Sequence, residues 1–441
     1  MLDKQNRKGG DGDDCHRPLR LIEDMKGIKQ MKDRINDIRN LILKLKMIGD
    51  EGTEYRGAVC KVDTYMKSLD DMFLPAKTDF NNTPDVYEQI KACYQTIGTL
   101  TSKYTIDIHS NLQTYPSNTQ RALENISSSL SSAKVEIENI LGTISSDFDQ
   151  NRFEQELDNL AYYLESIINI VNQQIQLLTY LIGDLEEFSK MDVLTIKKNM
   201  NDILSGIGEG SKDFEYAKEL LLNTQNELEN EISSQINNII ADGAGIFLGI
   251  VIAALTIAIT VTSGGTALPI TLSTIVGIGT IAATCVPIIM DSIELKSLQA
   301  ELEKTVNKID SYEQDILLFT QWEAAVEKVN DGLQGMIKQF KVINQSWTDV
   351  RNGFDFILSE VQKSKDTAST ELTVDDWKEI DETLTTCQKV CQETSERVTN
   401  LSLAEISVSD ASIEINMTEE EIKSALASSK VVSFTEYMLS A

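Results

Sequence analysis

Two cysteines one helical turn apart have the spacing in this sequence that comes nearest to a metal site. Cys387 and Cys391 are four residues apart on a predicted helix, so their thiols would share one face. A tetrahedral zinc site needs two further ligands, and the only histidines, His16 and His109, lie far from both cysteines in the sequence. Six cysteines in 441 residues are also sparse for a disulfide scaffold. We expect reduced, structural cysteines and neither a metal nor a cofactor.

The sequence lacks the residue patterns that support catalysis. It contains no Gly-x-Ser-x-Gly, no His-Glu-x-x-His, no Walker loop and no Rossmann fingerprint. His109 is the single candidate for general acid–base chemistry, because His16 lies in a polar terminal tail. Carboxylate pairs such as Glu186-Glu187 are typical of solvated helix faces in an acidic chain. The sequence therefore predicts a protein that is not an enzyme.

Charge restricts the partners of this protein. A formal net charge of −29 repels phosphate backbones, so we expect no binding to nucleic acid. Residues 17–46 are the exception, with nine basic and four acidic side chains. This basic helix could contact anionic lipid headgroups, or it could pack against acidic neighbours within its own bundle.

One long segment has no charge at all. Residues 243–290 contain no Asp, Glu, Lys, Arg or His, and two mainly apolar arms of about twenty residues flank a turn at residues 263–269. A helical arm of this length would be roughly 30 Å long, which matches the hydrocarbon core of a bilayer. The segment predicts a membrane-crossing helical hairpin.

The turn of this hairpin favours conditional insertion, because a tip of Ser, Gly and Thr crosses lipid at lower cost than one with Lys or Asp. No Lys or Arg lies beside the arms to fix an orientation; the flanking residues are Asp242 and Asp291. The predicted membrane-inserting residues are Gly245, Ile246, Phe247, Leu248, Gly249, Ile250, Val251, Ile252, Leu255, Ile257, Ile259, Val261, Leu268, Pro269, Ile270, Leu272, Ile275, Val276, Ile278, Ile281, Val286, Ile288 and Ile289. The predicted tip residues are Ser263, Gly264 and Gly265, and the glycines Gly206, Gly208 and Gly210 predict the end of the long helix that begins near Phe153.

Apolar residues recur at helical spacing over long distances outside this segment. Steps of three and four begin at Ile28, Phe153 and Leu295, and the last series continues to Phe340. These patterns predict an all-α fold: an elongated, coiled-coil-like bundle of long helices with the apolar helical hairpin as its head. An approach helix at residues 213–241 and an unbroken return helix at 291–340 would flank the hairpin.

Four regions follow from these boundaries. Residues 1–18 are a polar tail that we expect to be disordered; 19–242 hold the tail-domain helices and the approach helix; 243–290 are the inserting head; and 291–441 hold the return helix and the C-terminal tail-domain helices. Glycines between residues 49 and 57 predict a break in the first long helix. Residues 403–408 and 431–434 are weak strand candidates.

This layout resembles the bacterial α-helical pore-forming toxins of the cytolysin A type. The order is long helices, an uncharged hairpin at 243–290, and a helix from Leu295 that leads into the segment 343–350 with Trp347. The chain is most similar in layout to xenorhabdolysin-type binary toxins and to components of Bacillus haemolysin BL and non-haemolytic enterotoxin. The resemblance implies a soluble monomer whose hairpin inserts into a target-cell membrane and which assembles into a homo- or hetero-oligomer with other toxin components. It also implies hinges for this movement, at Gly206, Gly208 and Gly210 and at the hairpin tip.

Two features of the chain depart from the cytolysin A pattern, and two alternative functions stay open. The first helix is basic and follows a polar tail, and the first arm has little polar face to line a channel, which suits one component of a multipart toxin. A permanently membrane-anchored coiled-coil tether or remodelling protein would share the hairpin, and a soluble helical scaffold would bury its arms as core. The N-terminus lacks the apolar core of a secretory signal peptide, so we expect a protein that is secreted or released by another route.

Overall fold

Long helices packed side by side make up most of the protein. The computed structural model describes residues 17–72, 74, 77–145, 148–208, 210–241, 250–259, 268–278, 293–366, 372–403, 406–414 and 417–440. The longest helices, α1 (Arg17–Asp70) and α8 (Ser311–Asp366), have 54 and 56 residues. Each is about 80 Å long at 1.5 Å per residue. The predicted elongated helical bundle is confirmed.

The remaining elements follow in chain order. They are a 3-10 turn (Lys77–Phe80), α2 (Pro84–Lys103), α3 (Ser110–Ser145), α4 (Gln150–Glu187), α5 (Leu194–Gly206), α6 (Lys212–Ala241), β1 (Ile250–Ile259), β2 (Leu268–Ile278), α7 (Ile293–Val306), α9 (Val374–Leu403), β3 (Ile406–Glu414), α10 (Glu419–Ser428), β4 (Val431–Ser433) and α11 (Phe434–Ser440).

Five helices form the core of the bundle. Each contacts two neighbours in the cyclic order α1, α8, α4, α3, α9, so the five enclose one apolar interior. The predicted stripes supply that interior: Leu157, Leu160 and Leu164 on α4 are all buried at steps of three and four residues. Trp347 and Trp377 are fully buried on α8 and α9. Burial of these large apolar side chains is what holds the long helices together.

The predicted break at residues 49–57 is wrong, because α1 is continuous there. The glycines in the helices instead allow neighbouring helices to approach closely. A Cβ on Gly49 would lie 3.0 Å from Cγ2 of Thr394 on α9, so this glycine permits contact between the two helices. The same holds between α8 and α1, where a Cβ on Gly332 would lie 2.6 Å from Cγ2 of Val62. Tertiary packing thus outweighs the low helix propensity of glycine.

Two π-helical segments interrupt long helices at the same level. Tyr104–His109 joins α2 to α3, and Phe188–Val193 joins α4 to α5. The Nζ of Lys103 lies 2.6 Å from Oδ2 of Asp192, so the two segments are neighbours across the antiparallel helices. A π-helical segment rotates the side chains that follow it and is often found where a protein needs a special side-chain direction.

The basic helix predicted at residues 17–46 forms the first half of α1. Within its described side chains, Lys44 pairs with Asp349 of α8 at 2.9 Å. This contact agrees with the interpretation that basic residues of this helix pack against acidic neighbours of the bundle.

The predicted helical hairpin is wrong in this structure, because its described residues form strands. β1 and β2 pair as an antiparallel hairpin within a four-stranded sheet. Six of the ten residues of β1 and six of the eleven of β2 are Ile, Val or Thr, whose branched Cβ atoms favour strands. A continuous apolar run has no periodicity that separates a buried strand from a buried helix. The weak strand candidates, by contrast, are strands: they coincide with the start of β3 and with β4.

The predicted unbroken return helix is also wrong. A turn at residues 307–310 divides it into α7 and α8. Asp310 caps the second helix, because its Oδ1 accepts a hydrogen bond of 2.8 Å from the backbone N–H of Glu313. The approach helix is confirmed as α6.

The contact between Gly332 and Val62 provides a test of the bundle. Val62 is buried and its branched side chain has few alternative rotamers, so Gly332→Ala should destabilise the protein by about 1–3 kcal/mol. Gly335, one turn away, has open space around its Cβ position, and Gly335→Ala should stabilise by about 0.5–1 kcal/mol through helix propensity. Urea unfolding of both variants measures the difference. Equal effects in the two variants would contradict the close approach of α1 and α8.

Candidate functional site

The apolar hairpin is the first element of the site. β1 and β2 pair from Ile250↔Ile278 to Ile259↔Leu268, which makes a ribbon about ten residues long. A β-bulge lies near its open end: Val251 pairs with Gly277 and Ile252 with Ile275, so Val276 is the extra residue. The ladder satisfies the backbone groups that β1 and β2 direct at each other.

The C-terminal segment extends this ribbon into a sheet. β3 pairs in parallel with β1 from Ile250↔Ile406 to Thr256↔Glu414, and β4 pairs antiparallel with β3, giving the order β2-β1-β3-β4. We call residues 406–440, which hold β3, α10, β4 and α11, the C-terminal clasp. β1 is therefore hydrogen-bonded on both edges, and one edge is supplied by residues about 150 positions further along the chain.

Side chains of the clasp hold its own strands together where β3 departs from β1. The register between them shifts after Ile252, and the residues skipped on β3 include Ser409 and Asp410. Oδ1 of Asp410 accepts a hydrogen bond of 2.8 Å from the N–H of Lys430, and Oγ of Ser409 lies 2.8 Å from Oγ of Ser429. These bonds fix β3 to the segment that leads into β4.

The sheet lies against α1, and this helix is buried on almost every side there. β1 and β2 both contact α1, and β2 also contacts α6. Between residues 55 and 69 of α1, only Ala58 and Lys61 are not buried. A helix at the edge of a bundle normally keeps one polar face in water. Here that face is covered, and polar side chains such as Arg56, Asp63 and Lys67 are buried with the apolar ones.

Asp63 is the centre of the first buried polar cluster under the clasp. Its Oδ1 accepts a hydrogen bond of 2.7 Å from the hydroxyl of Tyr104, and its Oδ2 accepts one of 3.2 Å from Nε2 of His109. Both donors belong to the π-helical segment Tyr104–His109, which lets one short stretch aim two side chains at the same carboxylate. Burial and the nearby Asp63 carboxylate raise the pKa of Tyr104 well above its usual value, so the phenol stays a neutral donor.

Helix α11 of the clasp covers this cluster. Oγ1 of Thr435 lies 3.3 Å from Nδ1 of His109, and the ring of Phe434 lies 4.6 Å from the imidazole ring, centroid to centroid. Phe434 is fully buried. The imidazole is thus held between α1 on one side and the clasp on the other.

A second polar contact anchors the far end of α11. The hydroxyl of Tyr437 donates a hydrogen bond of 2.6 Å to Oδ1 of Asp71, and Asp71 also pairs with the buried Lys67. The Nζ of Lys67 lies 4.7 Å from the centre of the Tyr437 ring, close enough for a cation–π contact. Tyr437 therefore binds the clasp to the end of α1 through two contacts, one made by its hydroxyl and one by its ring.

Breaks in the helices that lead to and from the hairpin lie next to each other. α5 ends at Gly206, and Gly208 has a φ of 87°, a left-handed conformation that favours glycine. At the second break, Glu313 at the start of α8 accepts hydrogen bonds from the N–H of Ser211 at 2.7 Å and from its hydroxyl at 3.0 Å. Along the chain, α6, the hairpin and α7 are thus connected to the bundle helices through two adjacent turns.

The predicted inserting residues divide into those placed on the sheet and those outside the described residues. On β1 lie Ile250, Val251, Ile252, Leu255, Ile257 and Ile259, and on β2 lie Leu268, Pro269, Ile270, Leu272, Ile275, Val276 and Ile278. Outside the described residues fall Gly245, Ile246, Phe247, Leu248, Gly249, Val261, Ile281, Val286, Ile288, Ile289 and the predicted tip Ser263, Gly264 and Gly265. Gly206, Gly208 and Gly210 lie at the break between α5 and α6, where their hinge role stays a prediction.

Sequence reasoning missed the clasp and its anchors. The alternation of Ile406 and Val408 marks a strand, but nothing local shows that its partner is β1. The sequence offers His109 only as a candidate general base, whereas the structure places it in a buried contact with Asp63. Cys387 and Cys391 are buried free thiols, and burial raises the pKa of Cys391 to about 12. Nowhere among the described residues do three or more His, Cys, Asp or Glu side chains gather as a metal site.

Within the described helices, none has both the length and the apolar character needed to cross a bilayer.

Solved structures share this architecture at low sequence identity. The soluble SmhB component of the tripartite α-pore-forming toxin Smh from Serratia marcescens has a TM-score of 0.55 at 12% identity, over 90% of this chain and 99% of that chain. The SmhA component of the same toxin gives 0.59 at 12% identity, over 82% and 92%. The HblL1 toxin component of Bacillus cereus gives 0.51 at 13%, over 81% and 95%.

The fold is that of the α-pore-forming toxins. The predicted resemblance to this group is confirmed for the fold, over most of the length of this chain and nearly all of its neighbours. No protein-family model matches the chain, and no curated protein matches it by sequence.

The acidic end of α1 under the clasp has a testable pH dependence. Burial and the neighbouring Asp71 carboxylate raise the pKa of Asp70 to about 6. The folded protein then holds this proton more tightly than the unfolded chain, whose aspartates titrate near pH ~4, so stability falls as pH rises from about 4 to 6. Asp70→Asn should remove this fall and raise the free energy of unfolding at pH 7 by about 1 kcal/mol, since the side chain is partly exposed.

Urea unfolding at pH 5 and pH 7 measures this effect. Asp71→Asn is the matched control, because it removes the negative charge that pairs with the buried Lys67 and should lower stability at pH 7. An Asp70→Asn protein less stable than the parent at pH 7 would contradict the assignment.

Proposed function

We propose that this protein is a component of an α-pore-forming toxin, and that its apolar hairpin is a membrane-inserting element stored as a β-sheet in water. The observation that carries the proposal is the pairing of the uncharged hairpin with β3 of the clasp. The fold it shares with soluble toxin components supports the same conclusion. The target is a cell membrane, which the protein reaches after secretion or release from its own cell.

The pairing pattern indicates what must change on insertion. β1 takes hydrogen bonds from β2 on one edge and β3 on the other, so a hairpin that leaves the clasp has unpaired backbone groups along β1. Such groups cost several kcal/mol each in hydrocarbon, whereas a helix satisfies them within its own segment. We infer that β1 and β2 of the soluble form convert, on insertion, to parts of the two helical arms that the length of residues 243–290 predicts.

The first steps are release of the clasp and movement at the two turns. Opening separates β1 from β3 and moves α11 away from His109 and Lys67, which then regain water. The adjacent breaks at Gly208 and at residues 307–310 are where α6 and α7 can change direction without breaking an α-helix. A membrane or a partner component favours this open arrangement by binding it more tightly than the closed one.

Two structural neighbours are named as components of a tripartite toxin, which supports hetero-oligomeric assembly with other toxin components here. A permanently anchored tether is less well supported, because the hairpin is hydrogen-bonded to β3 in this structure. A soluble scaffold would share the closed arrangement but would stay inert towards lipid. Chromatography without detergent separates the tether, which partitions into membranes, from the other two.

A charge at the hairpin tip tests insertion. Gly264→Lys places an ammonium group in the part that must cross the bilayer, at a cost of about 3 kcal/mol, so leakage from dye-loaded vesicles should fall by about a hundredfold. Asn82→Lys, in the exposed turn before α2, adds the same charge outside the hairpin and should leave leakage unchanged. The assay is run with and without candidate partner components. Full leakage by the Gly264→Lys protein would contradict membrane insertion of the tip.

A disulfide between β1 and β3 tests release from the clasp. Val251 and Ser407 are direct partners across the two strands, so Val251→Cys/Ser407→Cys ties the hairpin to β3. The oxidised protein should lose leakage activity, and reduction should restore it. The matched control, Ser407→Cys/Ser433→Cys, shares one substituted position but ties β3 only to β4, and should leak in both states. Equal leakage from the oxidised Val251–Ser407 protein would show that the hairpin need not leave β3.

A further inference from the structure

A cavity of about 370 Å³ lies where α1, α6 and α8 meet. Its volume is within the range of small-molecule sites in proteins. Residues at steps of three and four on α1 and on α8 form two walls, and α6 contributes Glu229. Gly335 of α8 has open space where a Cβ would lie, so this part of the wall is backbone. The lining includes Glu54, Ala58, Lys61 and Tyr65 of α1 and Lys328 and Asp331 of α8.

Tyr65 brings an unpaired polar group to this cavity. The residue is only 9% exposed, and its hydroxyl has no hydrogen-bond partner among the described residues. Buried polar groups in native proteins are nearly always hydrogen-bonded, because an unpaired one has lost its water without compensation. An unpaired hydroxyl in the wall of a cavity therefore points to a group that the cavity binds.

The carboxylates of the cavity outnumber its ammonium groups. Three carboxylates line it, those of Glu54, Glu229 and Asp331. The two ammonium groups are those of Lys61 and Lys328. Lys328 is already engaged, because it forms an ion pair with Glu229. The lining therefore keeps an excess of negative charge.

This negative charge acts on two groups of the cavity wall. Burial raises the pKa of Asp331, and the carboxylates of Glu327 and Glu229 raise it further despite two nearby lysines. Burial, followed by the charges of Glu229 and Asp331, also raises the pKa of Tyr65. The Tyr65 hydroxyl and the Asp331 carboxyl thus lie in a region of negative potential. A water molecule would satisfy the hydroxyl alone, whereas a cation satisfies both the hydroxyl and the charge.

The arrangement of these groups suits an organic ammonium better than a metal ion. Within the described part of the chain, no three His, Cys, Asp or Glu side chains gather closely enough to hold a metal. A primary ammonium has three N–H donors, which suits two carboxylates and one phenol oxygen. Ala58 and the open space at Gly335 leave room for a short alkyl chain beside these groups.

We propose that the cavity binds a primary alkylammonium group, with Asp331 and Glu229 as its carboxylate partners and the hydroxyl of Tyr65 as a hydrogen-bond acceptor. These three residues belong to α8, α6 and α1, so one ligand ties three helices together. α6 is one of the elements that change direction in the proposed function. A bound amine therefore stabilises the closed arrangement. This consequence rests on the proposed function, whereas the binding itself does not.

Titration calorimetry of the full chain with butylammonium chloride tests the site. High salt in the buffer screens the non-specific attraction of cations to the acidic surface, and it screens a partly buried pair much less. We expect saturable binding at a single site. Tetramethylammonium has the charge but no N–H donor, and butanol has the chain but no charge, so neither should bind. Equal binding of tetramethylammonium and butylammonium would overturn the proposed hydrogen bonds.

Three variants locate the site. Tyr65→Phe removes only the unpaired hydroxyl, so it should weaken binding by about tenfold while leaving the protein folded. Asp331→Asn removes the charge and should weaken binding by about tenfold or more. Asp202→Asn is the matched control, because it removes the same charge from an exposed position of α5 outside the cavity, and it should bind like the parent. No binding to the parent, or equal binding to the parent and to the Asp331→Asn protein, would overturn the proposal.

The same ammonium group occurs in free amines and in the ethanolamine headgroup of phospholipids. Displacement of butylammonium by vesicles of phosphatidylethanolamine, but not of phosphatidylcholine, assigns the headgroup; no displacement by either assigns a free amine. Butylammonium should also slow vesicle leakage by the parent and not by the Asp331→Asn protein. Binding without this effect on leakage would count against the proposed movement of α6 and not against the site.

Discussion

The hydrogen bonding of β1 to β3 is the interaction on which the closed structure depends. A chain with 48 consecutive uncharged residues must keep that segment from aggregating in water. An isolated two-stranded hairpin is at best marginally stable and leaves two edges open. Pairing with β3 closes one edge, and contact with α1 covers the sheet on one side. The C-terminal residues therefore decide whether this apolar ribbon belongs to the body of the molecule.

Polar as well as apolar residues are buried beneath the clasp. Asp63, His109 and Lys67 are buried, and each has lost water in exchange for a small set of partners. Because a buried hydrogen bond adds only about 0.5–1.5 kcal/mol net, these contacts specify where α11 docks more than they add stability. A wholly apolar surface at the same place would bind the clasp more tightly but would specify the position of α11 less well. In the proposed function, this balance suits a protein that moves between two arrangements of similar free energy.

The helices could be predicted from the sequence because their stripes are local: Leu157, Leu160 and Leu164 share a face whatever lies elsewhere in the chain. The location of the apolar segment was equally clear, since the absence of charge needs no structural context. Its strands could not be predicted, because a helix and a buried strand of Ile, Val and Ala look alike until the partner is known. That partner, β3, lies about 130 residues after β2. The predicted break that begins at Gly49 was wrong for the same reason, since only the neighbouring helix α9 explains this glycine.

The parallel pairing of β1 with β3 also has a consequence for synthesis. The hairpin leaves the ribosome about 130 residues before the strand that covers it, which is a delay of roughly 6–26 s at ordinary elongation rates. During that interval the most apolar segment of the nascent chain lacks the strand that pairs with one edge of β1. The strands gain their full set of backbone partners only when β3 has been synthesised. A messenger RNA truncated before codon 406 would yield a protein without β3, in which one edge of β1 stays unpaired and prone to aggregation.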